Sequence, residues 1–282
     1  MDFHFSAFAD ESCSDLIGQI DALKRTGCEY LEIRGIGKTG GITGAPAEEA
    51  KQIRQLLDDN GIKVWSLGSS IGKIPVDGDW DAHIELYKRA LDNACILGTE
   101  RIRLFSFFMP KGQDPAAYKN VVLDRMAVFA ELAKANGVIA CHENEKGIYG
   151  DNAARCLELM KAVPDLRSVF DPANFVQCGQ DTLIAWEMLK PYVDYLHIKD
   201  AKTDGQVVPA GWGAGNVAAI VKDYGMTGGK VLTLEPHLYE FVGLKGLEQE
   251  GDESVVGTMF FDTPEAAFDF AVKTLKEMVV QF

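Results

Sequence analysis

VIACHENE, residues Val138–Glu145, is a short apolar run that ends abruptly in His, Glu, Asn and Glu. Three later stretches have the same form, namely SVFDPAN with Asp171, YLHIKD with His197 and VLTLEPH with Glu235. Each pattern predicts a short buried strand whose last residues turn polar. Four such ends in succession predict one site built from neighbouring strand ends, and the rest of the chain is interpreted as its scaffold.

Strand and helix patterns alternate along the whole chain, which predicts parallel strand pairing. The predicted strands are Phe3–Ala9, Glu29–Arg34, Ile62–Leu67, Arg101–Phe105, Val138–Glu143, Arg167–Asp171, Tyr192–Lys199 and Val231–Glu235. The predicted helices are Ser14–Arg25, Ala47–Asp59, Asp79–Leu97, Pro115–Ala135, Asn152–Val163, Thr182–Leu189, Asn216–Tyr224 and Pro264–Val280. Eight strand–helix units in 282 residues favour an α/β fold, a single (β/α)8 TIM barrel that forms one domain over residues 1–282. A doubly wound open sheet is the alternative fold.

The alternation within strands predicts a polar barrel axis. Successive side chains of a strand point to opposite faces, so an inward His197 also places Lys199 inward. Glu32, Arg103 and Glu235 can each point inward while their apolar neighbours face the helices. Barrel active sites lie at the C-terminal strand ends, where these polar residues are expected to converge.

Glu143, Asp171, His197 and Glu235 together offer three carboxylates and one imidazole. This mostly oxygen donor set suits one divalent ion such as Mn²⁺, Mg²⁺ or Co²⁺, with Zn²⁺ as a further option. Any one of these residues alone is typical of a salt bridge or a cap, and their succession at four strand ends favours a site. Within HENE, Glu143 or Glu145 could be the ligand, and Glu143 is preferred because it closes the apolar run directly.

The overall composition limits the classes of partner and the compartment that we expect for this protein. Forty-two acidic residues against 28 basic residues give a formal charge of −14, which argues against a nucleic-acid partner or an anionic membrane surface. The N-terminal residues have no basic region before an apolar core, and no apolar stretch is long enough to cross a membrane. The six scattered cysteines contain no CxxC pair, so free thiols in a reducing cytoplasm are expected.

The endings ENE, FDPAN, HIKD and LEPH, with FADE after the first strand and EIR in the second, resemble the sugar isomerase/epimerase superfamily of xylose isomerase-like barrels. The resemblance covers nearly the whole chain. Within this superfamily the chain is similar to tagatose 3-epimerase-like members, and endonuclease IV belongs to another branch. In such members a Glu, an Asp, a His and a second Glu bind one divalent metal, and the two Glu residues are the acid/base pair. The resemblance therefore implies Glu143, Asp171, His197 and Glu235 as ligands, with Glu143 and Glu235 catalytic.

Further residues are predicted to contact substrate. Relatives often carry a His three residues after the Asp, where this chain has Asn174. That difference, with only five histidines, argues against the multi-zinc site of endonuclease IV. Arg103 and His237 are candidate hydroxyl or phosphate contacts, and Lys199 shares the inward face of His197. Trp65 is a candidate wall for a sugar's C–H face, as are Phe8, Phe105 and Trp212, with core packing as the alternative for these aromatics.

Three other sequence features give weaker indications of function. Lys38 and Thr39 lie in GIGKTGG, but a phosphate loop would require glycine where Glu32 stands. The glycine-rich GWGAG, Gly211–Gly215, follows the seventh strand and is either a phosphate-binding loop or a flexible connection. His142 alternates outward and is predicted to be packed rather than a ligand.

The predicted function is metal-dependent isomerisation or epimerisation of a small sugar, keto-acid or polyol derivative. One glutamate would remove a proton beside a carbonyl, and the other would return it to the enediolate. A metal-dependent dehydratase of an inosose or keto-sugar and a non-catalytic sugar-binding barrel are the alternatives, while the charge argues against an endonuclease. The expected partner is a small-molecule carbohydrate, bound by a single chain or by a homo-oligomer.

Overall fold

The computed structural model describes residues 1–37, 41–242, 244 and 261–282. Eight parallel strands close into a barrel in sequence order, which confirms the (β/α)8 barrel and excludes the open sheet. The barrel strands are β1 His4–Ala7, β2 Tyr30–Ile33, β3 Lys63–Gly68, β4 Arg101–Leu104, β5 Ile139–Glu143, β6 Arg167–Phe170, β7 Val193–Ile198 and β10 Val231–Leu234. A small antiparallel hairpin, β8 Asp200–Ala201 with β9 Val207–Val208, lies between β7 and β10. Lys38 and Thr39 fall outside the described residues.

The helices follow the barrel strands in the expected rhythm. They are α1 Leu16–Thr26, α2 Ala47–Asp59, α3 Trp80–Leu97, α4 Lys119–Ala135, α5 Ala153–Ala162, α6 Pro172–Gln177, α7 Thr182–Leu189, α8 Val217–Met226 and α9 Pro264–Val279. Their apolar faces pack on the outer side of the barrel and form one large core. In the described part of the chain, no helix combines the length and apolarity needed to cross a membrane.

Local capping explains where several helices begin and end. The Asp15 carboxylate caps α1 by accepting a hydrogen bond from Gly18 N at 2.9 Å, so the helix starts at Leu16, two residues after the expected Ser14. Gly27 ends α1 with φ of +66°, a left-handed conformation that glycine adopts without a Cβ clash. The same pair of devices, an Asp79 cap and a Gly98 terminus, bounds α3.

The start of one further helix and two short elements differ from the sequence-based expectation. The helix predicted from Pro115 opens as a 3₁₀ turn, Pro115–Tyr118, and the α-helix begins only at Lys119. The β8–β9 hairpin and the short helix α6 were not predicted. Proline at the first position of α6 and Asp171 as its N-cap explain why that helix follows β6 without a loop.

The barrel interior has two layers. The lower layer, toward the N-terminal strand ends, is an apolar cluster of Cys141, Val169, Tyr195 and Val231. It is separate from the large core between strands and helices. The upper layer consists of buried polar and charged side chains, as the strand alternation predicts. The lower layer therefore closes the barrel, and the upper layer is left for chemistry.

Candidate metal and catalytic centre

Four residues from adjacent barrel strands converge in the upper layer. Glu143 ends β5, Asp171 follows β6, His197 lies near the end of β7, and Glu235 follows β10. One ligand-type atom from each of these side chains lies within 4.8 Å of the others, and all four residues are buried. The predicted four residues thus meet at the C-terminal end of the barrel.

Asp171 serves two purposes with its two oxygens. Oδ1 accepts a hydrogen bond from Asn174 N at 3.0 Å and caps helix α6, which fixes the side chain. Oδ2 points into the centre, 2.9 Å from Lys199 Nζ, and accepts no well-aligned hydrogen bond. The pKa of Asp171 is raised to about 7, mainly by burial and also by Glu143 and Glu235, while Lys199 opposes the rise.

His197 is held between two carboxylates. Its Nδ1 lies 2.9 Å from Glu143 Oε1, and its Nε2 lies 3.1 Å from Glu32 Oε2. Burial alone would lower the pKa of this imidazole, but Glu143 and Glu32 raise the pKa to about 10. Phe8 packs edge-on against the ring with 5.2 Å between the ring centroids, so the ring has little room to turn.

Arg103 and Lys199 are buried cations that pair with the carboxylates of the centre. Arg103 Nη1 lies 3.2 Å from Glu143 Oε2 and 3.5 Å from Glu235 Oε1, so one guanidinium joins the two glutamates. Lys199 Nζ donates to Glu235 Oε2 at 3.1 Å while it also faces Asp171. Burial would raise the pKa of Glu235, but Lys199 and the other nearby cations hold it well below its usual range.

The four residues fit a divalent metal ion. Three carboxylates and one imidazole form a hard, mostly oxygen donor set. Glu143 Oε2 and Asp171 Oδ2 are buried oxygens that accept no hydrogen bond, although each has a cation nearby. A buried carboxylate oxygen without a hydrogen bond is costly, and a bound cation would satisfy both oxygens.

Glu145 lies apart from this cluster of ligand atoms. Its Oε2 accepts from Lys73 Nζ at 3.1 Å, and Lys73 also sits 4.3 Å above the centroid of the Phe105 ring. Burial would raise the pKa of Glu145, but Lys73 and Lys199 lower it. The geometry therefore supports Glu143, rather than Glu145, as the ligand within HENE.

Four of the five predicted substrate contacts lie at the centre. Asn174 Nδ2 reaches Glu143 Oε1 at 3.4 Å and Asn144 O at 2.9 Å, while Arg103 and Lys199 pair with the glutamates as described. His237 is buried with both ring nitrogens unpaired by hydrogen bonds, and burial lowers its pKa well below the usual value. Its Nε2 lies 3.6 Å from Glu235 Oε1, at the edge of the cluster.

The structure does not bring Trp65 to the centre. Strand β3 continues to Gly68, so Trp65 sits in its lower half, against Tyr195 and Tyr30. The pairing of β2 with β3 passes from Val64 directly to Ser66, so Trp65 is the extra residue of a β-bulge. Its ring packs under the guanidinium of Arg101 at 3.9 Å and belongs to the lower layer.

The other aromatic candidates lie in different places, two at the centre and one at the surface. Phe8 lies at the centre, 4.3 Å from Arg34 Cζ and 4.9 Å from Arg103 Cζ, measured to the ring centroid. Phe105 supports Arg103 from 5.0 Å. Both rings hold guanidinium groups by cation–π contacts instead of presenting a bare apolar wall. Trp212 is 58% exposed and packs edge-on against Phe270 on helix α9.

Asp200 organises the glycine-rich loop after β7. Its carboxylate accepts hydrogen bonds at 2.9 Å from the backbone N–H groups of Gly211, Gly213 and Gly215. A Cβ at Gly213 would lie 2.4 Å from Ala201 O, so only glycine allows this close approach. These N–H groups are therefore committed to an internal anion, which argues against the phosphate-loop interpretation of Gly211–Gly215.

His142 is packed outside the barrel axis, as predicted. Its Nε2 lies 2.9 Å from Ser106 Oγ, and the residue is fully buried. Burial lowers the pKa of His142 to about 3, so the imidazole is neutral at pH 7.

Sequence reasoning missed an ion-pair network that reaches Glu235 from the first two strands. Arg34 donates to both oxygens of Asp10 at 2.9 and 3.0 Å, to Glu11 at 3.3 Å and to Glu235 Oε1 at 2.9 Å. Burial raises the pKa of Glu11 to about 8, while Arg34 opposes that rise. Glu11, Glu235 and His237 form a second group with metal-type spacing, and Arg34 already supplies positive charge there.

The family model described as xylose isomerase-like TIM barrel matches residues 20–251. The chain belongs to this family. No curated protein matches the sequence significantly.

Solved structures show the same barrel. The probable 3-DHS dehydratase AsbF of Bacillus anthracis superposes with a TM-score of 0.73 at 16% identity, covering 98% of this chain and 99% of that one. The IOLI protein with a bound zinc atom has a TM-score of 0.73 at 18% identity, covering 99% of each chain. D-psicose 3-epimerase of Clostridium cellulolyticum H10, solved with D-tagatose, has a TM-score of 0.70 at 16% identity, covering 99% and 98%. Identities this low show a shared fold.

The missed residues of this xylose isomerase-like barrel had sequence signals. Asp10 and Glu11 stand in FADE, and Arg34 stands in EIR, the two motifs that contributed to the resemblance. Glu32 shares the inward face with Arg34. The alternation of strand β2, which predicts an inward Glu32, therefore also places Arg34 on the face of the centre.

Proposed function

We propose that this xylose isomerase-like barrel is a divalent-metal-dependent isomerase or epimerase of a small carbohydrate, acting by proton transfer beside a carbonyl. The observation that carries the proposal is the convergence of Glu143, Asp171, His197 and Glu235 within 4.8 Å at the C-terminal strand ends. These four residues would hold one Mn²⁺, Mg²⁺, Co²⁺ or Zn²⁺ ion. When bound, such an ion polarises a carbonyl and makes the neighbouring C–H more acidic.

The two glutamates are the proposed proton carriers. They come from strands β5 and β10 and both contact Arg103, which lies between them. Lys199 and the nearby cations favour the ionised form of Glu235, so this carboxylate carries no proton when substrate arrives, and the same cations make it a weaker base. Glu143, held by Asn174 and His197, would start the cycle protonated and give its proton to the same carbon or to its neighbour, and proton exchange with water would then restore both glutamates.

Substrate hydroxyls would meet polar groups that surround the two glutamates. His237 offers two buried ring nitrogens without hydrogen-bond partners, and Lys199 and Arg103 supply further donors. A hydroxyl that pairs with His237 would remove the cost of leaving those nitrogens unsatisfied. Asn174 can donate and accept hydrogen bonds but cannot act as a general acid, so its proposed role is binding.

The test is turnover of keto-sugars and keto-acids with Mn²⁺ in D₂O, followed by NMR. A carboxylate that takes up a proton can exchange it with solvent, so deuterium is expected at the reacting carbon of the product. Conversion without any label would contradict proton transfer and favour a hydride shift.

The same experiment separates two competing functions. A dehydratase, the activity in the name of the AsbF structure, would share the proton abstraction and then expel a β-hydroxyl, which NMR would show as a new unsaturated product. A sugar-binding barrel without turnover would show neither label nor product across the series. Glu143→Gln and Glu235→Gln should each stop conversion if the proposed chemistry is correct.

A further inference from the structure

Glu32 lies directly beneath His197 in the barrel. Both side chains are fully buried, and Glu32 Oε2 lies 3.1 Å from His197 Nε2. The other ring nitrogen, Nδ1, faces the centre at 2.9 Å from Glu143 Oε1 and 3.6 Å from Glu235 Oε2. The two nitrogens of one imidazole thus have different partners, and only Nδ1 faces the proposed ligands.

Glu32 is itself held from below. The Tyr195 hydroxyl lies 2.9 Å from Glu32 Oε1 and 3.1 Å from Ser66 Oγ. A hydroxyl has one proton, so Tyr195 can donate to Glu32 while it accepts from Ser66. The Tyr195 ring packs with the apolar lower layer, which gives the Glu32 carboxylate a rigid support.

We infer that Glu32 is a positioning residue that accepts the Nε2–H of His197 and so keeps Nδ1 directed at the metal site, where a bound ion would replace the Nδ1 proton. This inference rests on the metal site of the proposed function. A histidine that ligates metal through one nitrogen usually donates from the other to a carboxylate or carbonyl, which fixes the tautomer and the ring orientation. The order of contacts along the axis is Ser66, Tyr195, Glu32, His197 and then the ligand cluster.

The alternative is that Glu32 only balances charge inside the barrel. A charge-balancing carboxylate would affect the stability of the fold but not the protonation pattern of the metal-bound ring. Metal affinity and the tautomer of His197 are therefore the quantities that distinguish the two roles.

The first measurement is Mn²⁺ binding by calorimetry to the full chain and to Glu32→Gln. The amide can present its NH₂ group to Nε2, which would favour the wrong tautomer, so affinity should fall about 10- to 100-fold. Asp194→Asn is the control, because Asp194 is a partly buried acid on the same strand as His197 and pairs with Arg101 instead of with the imidazole. The control should bind Mn²⁺ as the wild type does.

The second measurement is ¹⁵N-histidine NMR of the Zn²⁺-loaded protein. Wild-type His197 should show one tautomer with the proton on Nε2, and Glu32→Gln should show a mixture or the other tautomer. Tyr195→Phe, which keeps Glu32 but removes its support, should weaken Mn²⁺ binding by a smaller factor and carries the test if Glu32→Gln does not fold.

The outcomes separate the inference from the function on which it rests. Wild-type protein that binds no Mn²⁺ would overturn the metal site and the inference together. Wild-type protein that binds, with Glu32→Gln and Tyr195→Phe binding equally well and with an unchanged tautomer, would overturn only the role of Glu32. If Asp194→Asn loses as much Mn²⁺ affinity as Glu32→Gln, the loss reflects general destabilisation of the barrel, and the proposed role of Glu32 is overturned.

Discussion

Replacing Asp200 by Asn is expected to destabilise the protein through the loop after β7. The carboxylate accepts from Gly211 N and Gly213 N on Oδ2, and from Gly215 N and its neighbour Ala201 N on Oδ1, all at 2.9 Å. Asn has the same shape but replaces one oxygen with an NH₂ donor. Two backbone N–H groups would then face a donor instead of an acceptor.

The size of the effect follows from the two lost hydrogen bonds. Hydrogen bonds to charged groups contribute roughly 1.5–3 kcal/mol each, and water can reach the part-buried N–H groups of Gly211 and Gly213 once the loop shifts. The lower end of the range therefore applies, which gives a loss of about 3 kcal/mol in the free energy of unfolding. For a chain of this size, that loss lowers the melting temperature by roughly 6 °C.

The assay is urea unfolding followed by circular dichroism, with Asp204→Asn as the control. Asp204 lies in the turn between β8 and β9 and is exposed, and its carboxylate accepts a hydrogen bond from Gln206 N at 3.1 Å. Its replacement should change the free energy of unfolding by less than about 0.5 kcal/mol. An Asp200→Asn variant as stable as this control would refute the view that the carboxylate holds the loop.

Three further outcomes are expected. Asp171→Asn and His197→Ala should each weaken Mn²⁺ binding by more than about 100-fold in calorimetry, beyond the effect of an outer partner, and unchanged binding would remove the site. Glu143→Gln should lower turnover roughly 100-fold or more, and Glu145→Gln less; the reverse ranking would move proton transfer two residues along the chain. The pKa of His142 is about 3 in the folded protein and about 6.5 in the unfolded chain, so the free energy of unfolding should fall as the pH drops below about 6.5. In His142→Asn this free energy should depend less steeply on pH, and equal pH dependence of the two proteins in urea titrations would contradict the prediction.

The barrel could be predicted because each strand is a short apolar segment between a helix and a glycine or polar turn. The local sequence patterns predicted which strands and helices exist, and in which order, better than they predicted where each one begins and ends. Pro115 is favourable at a helix start, yet a 3₁₀ turn occupies Pro115–Tyr118 before the α-helix begins. The hairpin of Asp200–Ala201 with Val207–Val208 consists of strands of two residues, too short for any alternation to identify.

The four candidate ligands could be predicted because each stands at the end of its own strand. The network around Arg34 could not, because its partner Glu235 lies 201 residues further along the chain. No local pattern encodes such a pairing, which exists only once the first, second and eighth barrel strands are neighbours. Trp65 was misplaced for a different reason: it lies in the lower half of β3, which continues to Gly68, and its ring packs against Tyr195 in the lower layer.

The two layers of the barrel interior differ in how freely their residues can be substituted, because the upper layer carries the proposed chemistry and the lower layer closes the barrel. Substitutions in the upper layer could change the reaction while Cys141, Val169 and Val231 keep the barrel closed below. Tyr195 belongs to both parts, since its ring packs in the lower layer and its hydroxyl reaches Glu32. New specificities are therefore most accessible through the loops and the upper side chains, whereas Tyr195 is the position where an evolutionary change in packing would also alter the chemistry.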